Sequence, residues 1–287
     1  MIKIVVDSGC ELPQEVKNDP DKFIEIAPLT LQIGDDIYID DENLDVEKYI
    51  HAMESYPGVV KTAAPSPQSF IDRFGGRDNV FLVTISSKLS GSYNSAMTAK
   101  KLYMEESKER FVHVFDSLST SGAMYQIANK ILECSRSKLN NEEIITAVNG
   151  FIKDLKTYFI LDRYDNLVKT GRIKPYIAQI ASLLSLKPVC TANEGEIALA
   201  HRVRGSVKAI NKLAQIICEE ADDTENRVLA ISHVKALEKA LKLKELVAQK
   251  VRFKDIVIVE CRGLCTTYAA RGALILSFLG KPSTAQT

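Results

Sequence analysis

The residues whose spacing carries most chemistry are Ser86-Ser87-Lys88-Leu89-Ser90-Gly91-Ser92, a run of hydroxyls around one glycine between an apolar stretch and a helical pattern. A loop where a buried parallel strand gives way to a helix is where open α/β sheets bind ligands. Its hydroxyls can cap the helix, Gly91 lets a ligand approach the backbone, and unpaired N–H groups at the helix start favour an anion. A carboxylate or a phosphate fits there, although simple N-capping accounts for the same residues. Two other turns are built from similar residues, Asp7-Ser8 after the first apolar run and Asp116-Ser117 with Ser119-Thr120-Ser121-Gly122 after Phe115. An Asp at a strand end is also a common turn former. Thr62 to Pro67 adds another small hydroxyl-bearing loop, stiffened by Pro65 and Pro67.

Other chemistries lack their residues. There is no G-x-G-x-x-G, and Gly280-Lys281-Pro282-Ser283 lacks the earlier glycine of a P-loop. G-x-S-x-G is absent, and His51, His113, His201 and His233 stand in no arrangement that marks a base. A hydrolase with Ser90 or Ser92 as nucleophile stays open, but it needs a base that the sequence does not offer. No metal is expected: no H-E-x-x-H occurs, and Cys261 with Cys265 has neither finger spacing nor a second pair. Cys10, Cys134, Cys190, Cys218, Cys261 and Cys265 form no disulfide framework in so long a chain and read as reduced, buried thiols. Lys169, Arg172 and Lys174, and again His201, Arg202 and Arg204, gather as basic groups. Such groups can dock an acidic partner or touch an anionic membrane surface transiently, and a solvated face is the plainer reading.

These loops need a frame to bring them together. Ile2 to Val6, Asn79 to Ile85 and Phe111 to Phe115 are nearly continuous apolar runs, the pattern of strands buried on both faces of a parallel sheet. Ser92 to Met104 supplies a crossover helix, and helices follow at Ser121 to Cys134 and Glu142 to Leu155. Phe23 to Ile33 and Ile37 to Ile39 flank Gly34-Asp35-Asp36 as a hairpin, Val46 to Met53 has helical spacing, and Ser66-Pro67 opens a short helix. The second half reads differently. Strands are expected at Tyr158 to Leu161, Lys187 to Thr191, Ile197 to Val203, Val228 to Ser232 and Ile256 to Glu260, with helices at Ser206 to Glu220 and Leu237 to Val251. Gly272 to Leu279 fits strand or helix. The expectation is a two-domain α/β protein: a Rossmann-like parallel-sheet domain over 1–160, an α+β domain with a mixed sheet over 161–280, and a disordered tail over 281–287.

The bulk numbers agree with two units, since 287 residues exceed what one core usually serves. Lys plus Arg and Asp plus Glu are both 37, so the net charge that draws a protein to nucleic acid is missing and no nucleic-acid partner is expected. The first residues lack a secretory leader pattern and no stretch has the apolar length of a membrane span, so the expected location is the cytoplasm.

Read in order, these segments resemble the DegV family, which includes the FakB fatty-acid-binding subunits of bacterial fatty acid kinase. The likeness runs through IVVDSGCELP (4–13), KTAAPSP (61–67), TISSKLSGSYNSA (84–96), VFDSLSTSG (114–122), LDRYDNLVKTGRI (161–173), LLSLKPV (183–189) and HVKALEKALKLKEL (233–246). The resemblance implies a long-chain fatty acid buried between the domains, with its carboxylate at Thr62 and Ser90, Gly91 and Ser92 adjacent, and Tyr268 nearby. It implies no cofactor and no activity of the chain alone, but presentation of the acid to a separate fatty acid kinase that makes the acyl phosphate. Arg172, matching an Arg of the family's Gly-Gly-Arg segment, is then a partner-docking residue, as Arg202 and Arg204 are in the basic reading. The sequence departs from the family pattern at three places. Tyr268 stands where a His-Thr-Gly-Pro-Gly loop has its His, Ala63-Ala64 where Ser-Gln is usual, and Thr170 where the first Gly of Gly-Gly-Arg falls. A phenol can donate a hydrogen bond but cannot become cationic. A lipid-binding regulator without kinase coupling is the variant reading.

Overall fold

A computed structural model describes residues 2–17, 24–76, 79–182 and 186–282. The first half runs β1 (Lys3–Asp7), α1 (Gln14–Lys17), β2 (Ile24–Ala27), β3 (Thr30–Ile33), β4 (Asp36–Ile39), α2 (Val46–Ser55), β5 (Lys61–Ala63), α3 (Pro67–Phe74), β6 (Asn79–Thr84), α4 (Ser92–Glu105), β7 (Phe111–Asp116), α5 (Gly122–Arg136) and α6 (Asn141–Asp154). The second runs β8 (Leu155–Ile160), α7 (Asp165–Lys169), α8 (Pro175–Ser182), β9 (Leu186–Asn193), β10 (Glu196–Arg204), α9 (Ser206–Glu220), β11 (Val228–His233), α10 (Leu237–Ala248), β12 (Asp255–Glu260), α11 (Gly263–Ala269) and β13 (Leu274–Leu279).

The first sheet has the order β2-β1-β6-β7, with all its pairs parallel. Its apolar runs follow from burial on both faces. Val5, Val80 and Leu82 pack with Phe70, Phe74 and Ala99 of α3 and α4, while Ile4, Val6, Phe81 and Val83 pack with Ile127, Ile131 and Val148 of α5 and α6. The fold is thus mixed α/β, with a parallel sheet followed by a mixed one, as the sequence reading expects. The second sheet, in the order β10-β9-β8-β13-β11-β12, is antiparallel except for β11 with β12. Helix α5 touches strands of both sheets and so forms the wall between the two units.

Several expectations are corrected. The single strand expected over Phe23 to Ile33 is two strands in different sheets, Phe23 itself lying outside the described residues. Pro28 has no N–H to give a ladder, and the Leu29 N–H goes to Ser8 Oγ at 3.0 Å. Strands β3, β4 and β5 form a separate three-stranded sheet, of which β5 carries Thr62. The run left open at Gly272 to Leu279 is β13, a strand in the middle of the second sheet with both faces covered. β8 bonds only within that sheet, so sheet membership changes between Asp154 and Leu155. Helix α6 runs into β8 with no Gly or Pro linker to mark the change. Of the expected tail, 283–287 lie outside the described residues, as do the first three positions of the LLSLKPV segment. Among the described residues no helix is long and apolar enough to cross a membrane.

Candidate functional site

A cavity with an empty volume of about 820 Å³, its mouth included, lies between the two units. Leu29, Ile85 and Leu89 line it from the first unit, and Phe159, Leu161, Ile197, Leu264 and Ile275 from the second. Against this apolar wall stand Thr62, Ser90, Tyr268 and Arg172, the one cationic side chain that lines the cavity among the described residues.

Each of the four is placed by a local device. Ser90 precedes the start of α4, where its Oγ accepts the Ser92 N–H at 3.2 Å and its own proton is left to donate outward. Arg172 follows α7, which ends in a Schellman turn. Gly171 takes φ of 71°, its N–H reaches Val168 O at 3.0 Å, and the Arg172 N–H reaches Leu167 O at 2.9 Å. The guanidinium then donates to Leu89 O at 3.3 Å and to Thr170 O at 3.0 Å, and lies 5.5 Å from the centre of the Tyr268 ring. Thr62 Oγ1 and the Tyr268 hydroxyl share a hydrogen bond at 2.8 Å. One of their two O–H protons is used between them and one remains for a ligand.

Tyr268 rides on α11, a helix with no side-chain cap of its own. Asp40, at the end of the β3–β4 hairpin, supplies the cap from a distance: Oδ1 accepts the Gly263 N–H at 2.8 Å and Oδ2 the Leu264 N–H at 2.9 Å. Tyr49 on α2 holds the same helix through Thr267, whose Oγ1 lies 2.5 Å from the Tyr49 hydroxyl. The β9–β10 hairpin closes another part of the wall. Its two-residue turn, Glu194-Gly195, has φ of 49° and 86°, and Gly195 O accepts from Ser86 Oγ at 2.8 Å. A Cβ at Gly195 would stand 2.5 Å from Ser86 Oγ, so only glycine fits the approach.

The remaining expected residues lie elsewhere. Gly91 is exposed, with an ordinary φ of −72°, and does not line the cavity. Ser92 is fully buried behind the loop, its Oγ donating to Asp7 Oδ2. Asp7 also accepts the Gly9 and Ile85 N–H groups at 2.9 Å each, and burial pushes its carboxyl up to about 6 against the pull of those donors. Arg202 and Arg204 alternate outward on β10, an edge strand, away from the cavity wall. Arg172, expected as a docking residue, is in the wall beside Thr62, Ser90 and Tyr268. Among the described residues no histidine lines the cavity, and Glu196, paired with Lys174 at 3.4 Å, is the one carboxylate that does. A serine nucleophile there has no histidine beside it among the described residues. The residues that form the apolar lining and the Asp40 cap escaped the sequence reading because nothing local marks them.

The family model described as an uncharacterised protein of the DegV family matches residues 1–281. A DegV domain-containing protein of Streptococcus pneumoniae is 34% identical over 280 residues, which is 96% of this chain and 98% of its own length. Among solved structures, a DegV-family protein from Ruminococcus gnavus refined with vaccenic acid is 33% identical with a TM-score of 0.90, covering 96% of this chain and 99% of that one. The Streptococcus pneumoniae Fatty Acid Kinase (Fak) B3 protein loaded with linoleic acid is 31% identical with a TM-score of 0.88, covering 98% and 100%.

Proposed function

The chain belongs to the DegV family, and from that premise we propose that it binds a long-chain fatty acid in the cavity between its units. The observation that carries the reading is an apolar sleeve in which Arg172, the one cation among the described lining residues, is set beside the hydroxyls of Thr62, Ser90 and Tyr268. Burying methylenes gains about 0.8 kcal/mol each, so a long acyl chain gains on the order of ten kcal/mol before ordering costs. A buried carboxylate must be matched by charge and donors, which Arg172 and the three hydroxyls supply. Tyr268 donates without charge, so the positive charge in this site belongs to Arg172.

The likeness to a protein named as part of a fatty acid kinase supports the finer reading that the chain is a carrier, presenting the head group to a separate kinase that makes the acyl phosphate. The carrier reading also accounts for a cavity with no nucleotide motif and no nucleophile–base pair. A hydrolase gains little from the geometry, because Ser92 is sealed against Asp7 and among the described residues no histidine lines the cavity with Ser90.

The test is direct: denature the purified chain mildly, extract it, and identify released lipid by mass spectrometry. A long-chain acid should come off, and adding palmitate or oleate to stripped protein should raise its melting temperature. No acyl acid and no thermal shift would overturn the reading. Thr62→Ala combined with Ser90→Ala should weaken acid binding while leaving the melting curve cooperative, and unchanged affinity would refute the head-group assignment. If a fatty acid kinase with ATP makes no acyl phosphate on the loaded chain, the chain is a regulator and not a kinase carrier.

A further inference from the structure

Where β12 turns into α11, Cys261 lies just ahead of the helix and Cys265 in its first turn, four residues on. The fold brings Glu11, from the loop after β1, against both, and the Arg262 N–H donates to Glu11 Oε1 at 2.9 Å. One carboxylate oxygen and the two sulfurs all lie within 4.8 Å of one another. All three residues are buried, with Glu11 at 0%, Cys261 at 1% and Cys265 at 5% exposure. A tetrahedral ion with bonds of roughly 2.3 Å to sulfur and roughly 2.0–2.2 Å to oxygen needs such atoms about 3.5–3.8 Å apart, a closure of about 1 Å from the upper limit observed.

A second observation points the same way. Ser121 is fully buried with its Oγ at the Cys261 thiol, and among the described residues that oxygen has no other partner. Its backbone takes φ of 61°, a conformation L side chains rarely adopt, so the chain holds this oxygen at the cluster against its own preference. The Gly9 carbonyl, 3.7 Å from Cys265 Sγ, and Thr120 Oγ1, 3.8 Å from it, add oxygens nearby.

We infer that Glu11, Cys261, Cys265 and Ser121 form a binding site for a zinc-type divalent cation. Binding replaces two S–H bonds by two sulfur–metal bonds and releases both protons to solvent, while the carboxylate and the serine oxygen complete four ligands. Two soft sulfurs with hard oxygens suit Zn²⁺ better than Mg²⁺ or Ca²⁺, which take oxygen alone. A disulfide between the thiols leaves the carboxylate and Ser121 without a role. Cys265 lines the large cavity, which gives the ion a route inward. The site stands whatever fills that cavity.

Purified full-length chain, stripped with chelator, loaded with Zn²⁺ and dialysed, should retain about one ion per chain by elemental analysis. Co²⁺ in its place should give the intense sulfur-to-cobalt charge-transfer absorption of thiolate ligation. Cys261→Ser and Cys265→Ser should each lower the retained metal at least ~10-fold and remove that band, while Cys218→Ser, on α9 outside the cluster, should keep both. If the serine variants fail to fold, the intact chain still decides: Zn²⁺ but not Mg²⁺ should raise its melting temperature, and excess chelator should reverse the rise. Equal metal in the folded serine variants, or an intact reduced chain with neither band nor Zn²⁺-dependent stabilisation, overturns the assignment.

Discussion

In the proposed complex Arg172 and Tyr268 meet the carboxylate together. Arg172 brings a permanent charge and Tyr268 a neutral donor, held together by the ring contact and by Thr62. Arg172→Gln should therefore weaken fatty-acid binding by about 10–100-fold, the value of a hydrogen bond to a charged group, with little effect on melting temperature. Isothermal titration of stripped protein with oleate checks this. Tyr268→His should make affinity pH-dependent, tighter as pH falls through the imidazole range near ~6.5, since only the protonated ring adds charge. A flat profile in that variant would place the head group elsewhere. The hydroxyls of the Ser86 to Ser92 loop were legible in the sequence because helix capping and strand ends are local signals. Which of them faces the ligand was not: Ser90 does, while Ser92 turns inward to Asp7.

At the scale of elements, the site depends on α11, which the sequence does not announce. Its residues Gly263-Leu264-Cys265-Thr266-Thr267 lack helical amphipathicity because the helix is buried nearly all round, and its cap lies in another part of the chain. Asp40→Ala leaves the Gly263 and Leu264 N–H groups buried without an acceptor and should cost about 1–3 kcal/mol. Thermal melting should show a loss of several degrees, and oleate affinity should fall with it because Tyr268 shifts with the helix. Asp40→Asn, keeping one acceptor, should recover part of both. An unchanged melting temperature in Asp40→Ala would mean that Tyr49 and Thr267 alone hold α11. By contrast, α4, the Gly34-Asp35 hairpin and the strands β1, β6 and β7 match the sequence closely, since periodicity and turn residues define them without outside help.

At the scale of the whole molecule, Asp7 joins β1, β6 and α4 at the edge of the parallel sheet that faces the cavity, and it is buried with its carboxyl pushed up to about 6. Between its ordinary 3.8 and about 6 the folded chain keeps a proton that the unfolded chain has lost. This group's contribution therefore falls as pH rises through that window, by about 3 kcal/mol in all. Asp40, raised by burial, acts in the same sense. His113, lowered to about 4 by burial, acts oppositely, as do His201 and His233, because each resists protonation that the unfolded state accepts. The measurement that isolates Asp7 is thus the urea stability of Asp7→Asn minus that of the unaltered chain. That difference should move in favour of the variant as pH rises from about 4 to about 7 and stay constant above, and a difference independent of pH would show that Asp7 does not titrate there. The sequence by itself determined the class of this protein, its parallel-sheet half, its mixed second half and the loops that carry hydroxyls. Those features rest on periodicity, capping and turn chemistry within a few residues. Only the tertiary structure decided what meets what: Thr62 with Tyr268, Asp40 with α11, Arg172 with the cavity, and Glu11 with Cys261 and Cys265. Contacts between residues far apart in the chain come from how helix α5 seats the two sheets against each other, and burial on both sides of that wall leaves no local pattern to read.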